Sequence, residues 1–222
     1  MFQFQLTSVF CIFLFAFSPI YEAFDHWQLV LTWPAGYCKI KGCPRTVIPD
    51  NFTIHGLWPD SVSVMMYNCD PPTRFNKIRE TNIKNELEKR WPESTSTAQF
   101  ALKSQSFWKY QYEKHGTCCL PFYSQSAYFD FAIKLKDKTD LLTILRNQGV
   151  TPGSTYTGEK LNSSIASVTR VAPNLKCLYY QGKLELTEIG ICFNRTTVAM
   201  MSCPRISTSC KFGTNAGITF RQ

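Results

Sequence analysis

From His26 to Trp33 apolar and polar positions alternate, with Trp27, Leu29, Leu31 and Trp33 on one side, which predicts a strand. Phe52 to Leu57 predicts a second, short strand, with Phe52, Ile54 and Gly56 on one face and Thr53, His55 and Leu57 on the other. Phe75, Ile78, Ile83, Leu87 and Trp91 recur at helical spacing, so a helix is expected over 75–91, stopped by Pro92. Phe107 to His115 predicts another, closed by Gly116. Tyr128 to Lys136, Asp140 to Asn147 (ended by Gly149) and Lys160 to Thr169 are also helical in pattern. From Leu175 the chain returns to strand character: LKCLYY, a turn at Gly182, then KLELTEIGICF. Strands first, helices in the middle and strands last predict a single-domain α+β fold, with several helices packed on an antiparallel sheet.

Val9 to Phe17 is a nine-residue apolar run, too short for a membrane span and suited to the core of a signal peptide. We expect a signal peptide over 1–22, a mature domain over 23–222, secretion, and no membrane anchor. Cys11 lies in the signal segment, and nine cysteines remain: Cys38, Cys43, Cys69, Cys118, Cys119, Cys177, Cys192, Cys203 and Cys210. In an oxidising compartment these predict four bridges and one odd thiol. Adjacent Cys118 and Cys119 cannot easily bond each other, so one of them is the candidate for that thiol. The absence of a C-x-x-C pair, and of histidines at ligand spacing, argues against zinc; no metal or cofactor is expected. Sequons at Asn51, Asn162 and Asn194 fit a secreted glycoprotein.

The 222 residues carry 24 Lys and Arg against 16 Asp and Glu, a net charge of +8. Loss of residues 1–22 removes only Glu22 and raises it to +9. Such a charge favours polyanionic partners, of which RNA is the one the remaining residues suit.

The chain has three histidines, His26, His55 and His115. A lone histidine is more often structural than catalytic, but the surroundings of two change that. His55 lies in FTIHGLWP, where Gly56 permits close approach of a substrate or another segment. His115 lies in FWKYQYEKHGTCC, where Phe107, Tyr110, Gln111, Lys114 and His115 share a broad helical face. Trp108 and Tyr112 flank that face, and Lys109 and Glu113 point to solvent. An aromatic ring, an amide, a cation and two imidazoles suit transesterification of RNA. A neutral imidazole takes the 2′-hydroxyl proton, a protonated one supplies the leaving oxygen, and Lys114 holds the charge that develops on phosphorus.

Through these two histidine segments, 60 positions apart, the chain resembles the ribonuclease T-two family. Its basic charge, HGTCC and GITF resemble the self-incompatibility S-ribonucleases of nightshade-type plants. The resemblance implies His55 as general acid, His115 as general base, Lys114 and Gln111 at the phosphate, and Trp58, Phe107, Tyr110 and Thr32 around the substrate. It implies bridges Cys38–Cys43, Cys69–Cys118, Cys177–Cys210 and Cys192–Cys203, with Cys119 free. It further implies metal-free cleavage through a 2′,3′-cyclic phosphate by a monomer, RNA as substrate, and pollen F-box recognition proteins as partners. Recognition is expected on exposed loops such as Ser61 to Arg74. The sequence departs from many relatives in carrying Tyr110-Gln111 for His-Glu, and Thr32 for a base-contacting Gln. Two other roles compete: an S-like ribonuclease for phosphate scavenging or defence, and a catalytically silent binding protein, which would be expected to lose His55 or His115.

Overall fold

The computed structural model describes residues 24–70, 73–210 and 217–222; the expected signal peptide lies outside the described residues. The sheet is organised by one long strand. The elements in order are β1 (His26–Thr32), α1 (Pro34–Lys41), β2 (Thr53–Asp60), α2 (Thr81–Arg90), α3 (Ala98–Ser104), α4 (Ser106–Lys114), α5 (Gln125–Lys138), α6 (Leu141–Asn147), β3 (Ser154–Tyr156), α7 (Gly158–Thr169), β4 (Asn174–Tyr180), β5 (Lys183–Asn194), β6 (Met200–Met201) and β7 (Ile218–Phe220). A 3-10 turn, Gly116–Cys119, follows α4. The sheet path is β2-β1-β5-β7-β3, with β4 and β6 on the other edge of β5. Gly182, at φ 82°, and Gln181, at φ 47°, make the tight turn between β4 and β5.

The α+β class holds, but the sheet is mixed, because β5 and β7 run parallel. More than a dozen residues separate them, enough for a parallel crossover. The returning strand is held by Trp33, whose ring meets Phe52 at 5.0 Å and Phe220 at 4.8 Å. Arg221 also pairs with the buried carboxylate of Glu185.

A second correction concerns residues 75–80, which form no helix; the helix begins only at Thr81. Side-chain amides take over the backbone groups that a helix would pair. Gln105 Oε1 accepts from Ile78 N–H at 2.9 Å and Gln105 Nε2 donates to Ile78 C=O at 2.8 Å. Gln125 does the same for Asn76, at 2.7 Å for both bonds. Two short helices, α1 and α3, lie where the hydrophobic pattern predicted none. Pro at the first position starts α1, and the Thr97 hydroxyl caps α3 by accepting from Phe100 N–H.

The core lies between one face of the sheet and the helices. Trp27, Leu29, Leu31, Ile54, Leu57, Ile189 and Ile191 pack with Leu87, Trp91, Trp108, Tyr112, Tyr128, Phe129, Ala132 and Leu135. β1 is buried on both faces rather than one, and the second face carries Gln28, Val30 and Thr32. Four bridges join Cys38–Cys43, Cys69–Cys118, Cys177–Cys210 and Cys192–Cys203. Cys119 is free and buried, donating to Gly116 C=O. Burial pushes its thiol up to about 12, so it is inert as a nucleophile. Asn51 and Asn162 are half-buried and Asn194 is exposed. No described helix is long and apolar enough to cross a membrane.

Candidate active site

The register of β1 and β2 slips at one point: Leu31 faces Ile54, but Val30 faces Gly56. His55 is therefore the extra residue of a β-bulge. This overturns the simple alternation that put Leu57 on the face of His55. Across the bulge, Ile54 and Leu57 both enter the core opposite Leu31 and Leu29. The carbonyl of His55 is taken by Trp91 Nε1–H at 2.9 Å, and that of Leu57 by the Tyr128 hydroxyl at 2.8 Å. Both donors are fully buried aromatic side chains, so the bulge is clamped from the core side.

A second slip lies between β4 and β5: Lys176 faces Glu188, but Cys177 faces Leu186. With Thr32 opposite both Thr53 and Glu188, the sheet carries a polar row of Thr53, Thr32, Glu188 and Lys176. Glu188 Oε1 lies 2.6 Å from His55 Nδ1, and Lys176 Nζ donates to Glu188 Oε2 at 2.8 Å. Burial pushes the Glu188 carboxyl up, but the hydrogen bond and charge of His55 and the ammonium of Lys176 outweigh it. They hold the group at about 2. Glu188 and Lys176 were missed by sequence reasoning. The available signal was a glutamate beside the apolar run IGICF of a strand, in LTEIG.

His115 arrives from the other side, as the C-terminal cap of α4, its N–H bonded to Gln111 C=O. Trp108 and Tyr112 on this helix enter the core, where the Trp108 indole donates to Trp91 C=O at 2.8 Å. This turns Gln111, 1% exposed, and His115, 9% exposed, towards the sheet. The His115 ring stacks on Trp58 at 4.9 Å and 20°, and its Nδ1 is buried without a partner. Burial, then the charge of Lys114, then that of His55, lower its pKa to about 3. Trp58 Nε1–H approaches Gln111 Oε1 at 3.4 Å. Both fit because Gly56 has no side chain; a Cβ there would overlap the Trp58 indole and the Gln111 amide.

His55, Trp58, Tyr110, Gln111, Lys114 and His115 line one cavity of about 600 Å³. Lys114 Nζ donates to the Tyr110 hydroxyl at 2.8 Å, so this exposed tyrosine tethers the lysine. Thr32 and Phe107 lie apart, in a narrow cleft of about 40 Å³ on the other side of His55. The main cavity extends past Gln28 and Asn174 to Asp60, whose carboxylate pairs with Arg205. Among the described residues no cluster of His, Cys, Asp or Glu is placed to hold a metal ion.

A cavity with two imidazoles in opposite electrostatic settings, a lysine and exposed aromatic surface can move two protons about a phosphodiester. Comparison with known proteins agrees. The chain is 49% identical over 216 residues to Ribonuclease S-2 of Nicotiana alata, covering 97% of this chain and 98% of that one. It is 42% identical over 224 residues to Ribonuclease S-3 of Petunia hybrida, covering both in full. Its fold matches the crystal structure of the self-incompatibility-associated SF11-RNase of Nicotiana alata with a TM-score of 0.84 at 40% identity. That match covers 90% of this chain and all of the other. RNase NT in complex with 5′-AMP matches at 0.76 and 28% identity, covering 90% and 99%. Residues 24–203 match the Ribonuclease T2 family, and the chain belongs to that family of endoribonucleases.

Proposed function

We propose that the chain is a secreted, metal-independent endoribonuclease in which His115 is the general base and His55 the general acid. The observation that carries this assignment is the contrast between the two rings. His115 is buried against Trp58 beside Lys114, with its pKa lowered to about 3, so it stands neutral, the form in which a general base must meet the substrate. His55 has an ionised carboxylate at Nδ1, which complements a charged ring.

His115 Nε2 removes the proton from the 2′-hydroxyl as its oxygen attacks phosphorus. The P–O5′ bond breaks, and the departing O5′ takes a proton from His55 Nε2. The products are a 2′,3′-cyclic phosphate and a free 5′-hydroxyl. Lys114, and the N–H groups of Gln111, stabilise the extra charge on the phosphorane. The side chains of Trp58 and Tyr110 offer stacking and polar contacts to a base in the main cavity, while Phe107 and Thr32 line the narrow cleft beyond His55. DNA lacks the nucleophile and is not cut.

His55→Ala and His115→Ala should each keep the fold and lose RNA cleavage by at least about 10²-fold, in keeping with general acid–base contributions. Cleavage by the wild type should survive excess chelator and leave a 2′,3′-cyclic end. Retention of a tenth of the activity by either variant refutes the two-imidazole reading.

The relatives named as S-ribonucleases, matched over nearly their whole length, support a stylar role in gametophytic self-incompatibility. In that role the protein is exported behind residues 1–22, glycosylated at Asn51, Asn162 or Asn194, recognised by pollen F-box proteins, and degrades RNA in self pollen tubes. Transgenic styles that express the wild type should reject pollen of the matching type, and styles that express His115→Ala should not.

A further inference from the structure

We infer that Glu188, backed by Lys176, is the positioning residue of the general acid: it holds His55 in the tautomer with the proton on Nδ1 and turns Nε2 to the cavity. The inference rests on the assignment of His55 as proton donor, and its test separates the two.

The geometry is specific. Glu188 is 3% exposed, lies 133 positions from His55 and reaches Nδ1 at 2.6 Å, and a register slip lies on each side of the pair. One makes His55 the extra residue of β2, and the other sets the offset between β4 and β5 that puts Lys176 opposite Glu188. Its two oxygens are divided between two donors, His55 Nδ1–H and Lys176 Nζ–H, so the carboxylate can neither rotate nor accept a proton without losing one of them. With Nδ1 so engaged, the ring's other nitrogen is the one left for the departing 5′-oxygen. When that proton leaves, the ring becomes neutral with its remaining hydrogen still on Nδ1, and the same contact survives the step. His115 has no such partner, in keeping with a base that must arrive unprotonated. The charged or titratable groups facing this pair are Tyr37 on α1 and Glu93 after α2, across the narrow cleft, Lys176 on β4, and Lys114 and His115 at the end of α4.

The test uses two substrates with one variant series: a dinucleotide, whose alkoxide leaving group needs a proton, and a uridine 3′-(4-nitrophenyl phosphate), whose leaving group does not. Glu188→Gln should slow the dinucleotide on the order of tenfold or more, within the range for one acid–base group. It should slow the aryl ester less than about threefold, and move the basic limb of the dinucleotide kcat/KM profile to lower pH. Glu188→Asp should recover part of the loss. Lys176→Met, at a half-exposed position, should show the same substrate pattern at smaller size. His55→Ala combined with Glu188→Gln should be no slower than His55→Ala alone. Equal losses on both substrates in Glu188→Gln, with an unchanged substrate ratio in Lys176→Met, would make the pair structural only and overturn the inference. Equal losses on both substrates in His55→Ala would instead refute His55 as the acid, whatever Glu188 does.

Discussion

The two sides of the cavity present the same side chain on different supports. His55 sits on a bulged strand, with its carbonyl clamped from the core by Trp91 and its ring held by a buried carboxylate. His115 sits at the C-terminal cap of a helix, its ring stacked on Trp58 with Nδ1 unpartnered. The strand side is fixed by hydrogen bonds and charge, the helix side by shape and exclusion of water. The difference separates two identical side chains into donor and acceptor, since burial without a partner disfavours the imidazolium and a fixed anion complements it.

If that contrast is right, steric change should damage the helix side most. Gly56→Ala would put a methyl where the Trp58 indole and the Gln111 amide now meet, without touching the Glu188 contact. Overpacking of this kind costs about 1–3 kcal/mol, and small misplacements of catalytic groups lower rates by up to about 10²-fold. We expect a lower urea midpoint together with a fall in kcat/KM of at least about tenfold. Wild-type kcat/KM in Gly56→Ala would mean that the α4 end shifts freely and that its packing does not set the position of His115.

How much of this was legible in the sequence follows the range of the interactions. Strand β1, helices α4 to α7 and the β4–β5 hairpin were readable because each buries a face with its own period and ends at its own Gly, Pro or polar cap. The helix expected from Phe75 was not, because glutamines 27 and 49 positions later pair with that backbone. The bulge left a faint trace: Ile54 and Leu57 are three apart, a spacing that strict alternation cannot bury on one side. His55, Lys114 and His115 stood out by residue type and neighbours. Glu188 could not be assigned to His55, since nothing local ties strand β5 to β2. The disulfide pairing came through family resemblance, because nine cysteines leave many pairings open.

Acid stability should separate the two supports next. The folded pKa of His115 is depressed from 6.5 to about 3, so its neutral form is the one folding favours. That contribution is complete above pH 6.5 and drains away as pH falls towards 3. The Glu188 carboxyl is depressed from 4.5 to about 2, so its contribution is complete above 4.5 and is lost only as pH falls towards 2. Each tenfold difference in proton affinity between the folded and unfolded chain corresponds to about 1.4 kcal/mol. The stability gap between wild type and His115→Gln should therefore change between pH 6.5 and about 3 and then level off, whereas that between wild type and Glu188→Gln should go on changing below 3, towards 2. Urea midpoints taken across this range check the order; coincident windows would remove the contrast.

The smallest expected effect is the most specific. Gln111 touches Trp58 on one side and lies one helical turn before His115, with Lys114 between them in sequence. Being 1% exposed, it is no surface residue. In Gln111→Glu the carboxyl would meet the Trp58 N–H and the nearby ammonium of Lys114, both of which favour the ionised form over the protonated one that burial alone would select. An anion there favours the protonated imidazole of His115, opposing the burial and the charges of Lys114 and His55 that now lower its pKa. A general base with a raised pKa is blocked over a wider acidic range. The acidic limb of kcat/KM for dinucleotide cleavage should therefore move upward, by about one pH unit or less, while the maximum changes only a few-fold. Gln111→Met, which removes the amide without adding charge, should lower the maximum and leave the limb in place. A limb that moves equally in both variants would trace the effect to packing of the helix end. Superimposable profiles for Gln111→Glu and the wild type would remove Gln111 from the electrostatics of the base altogether.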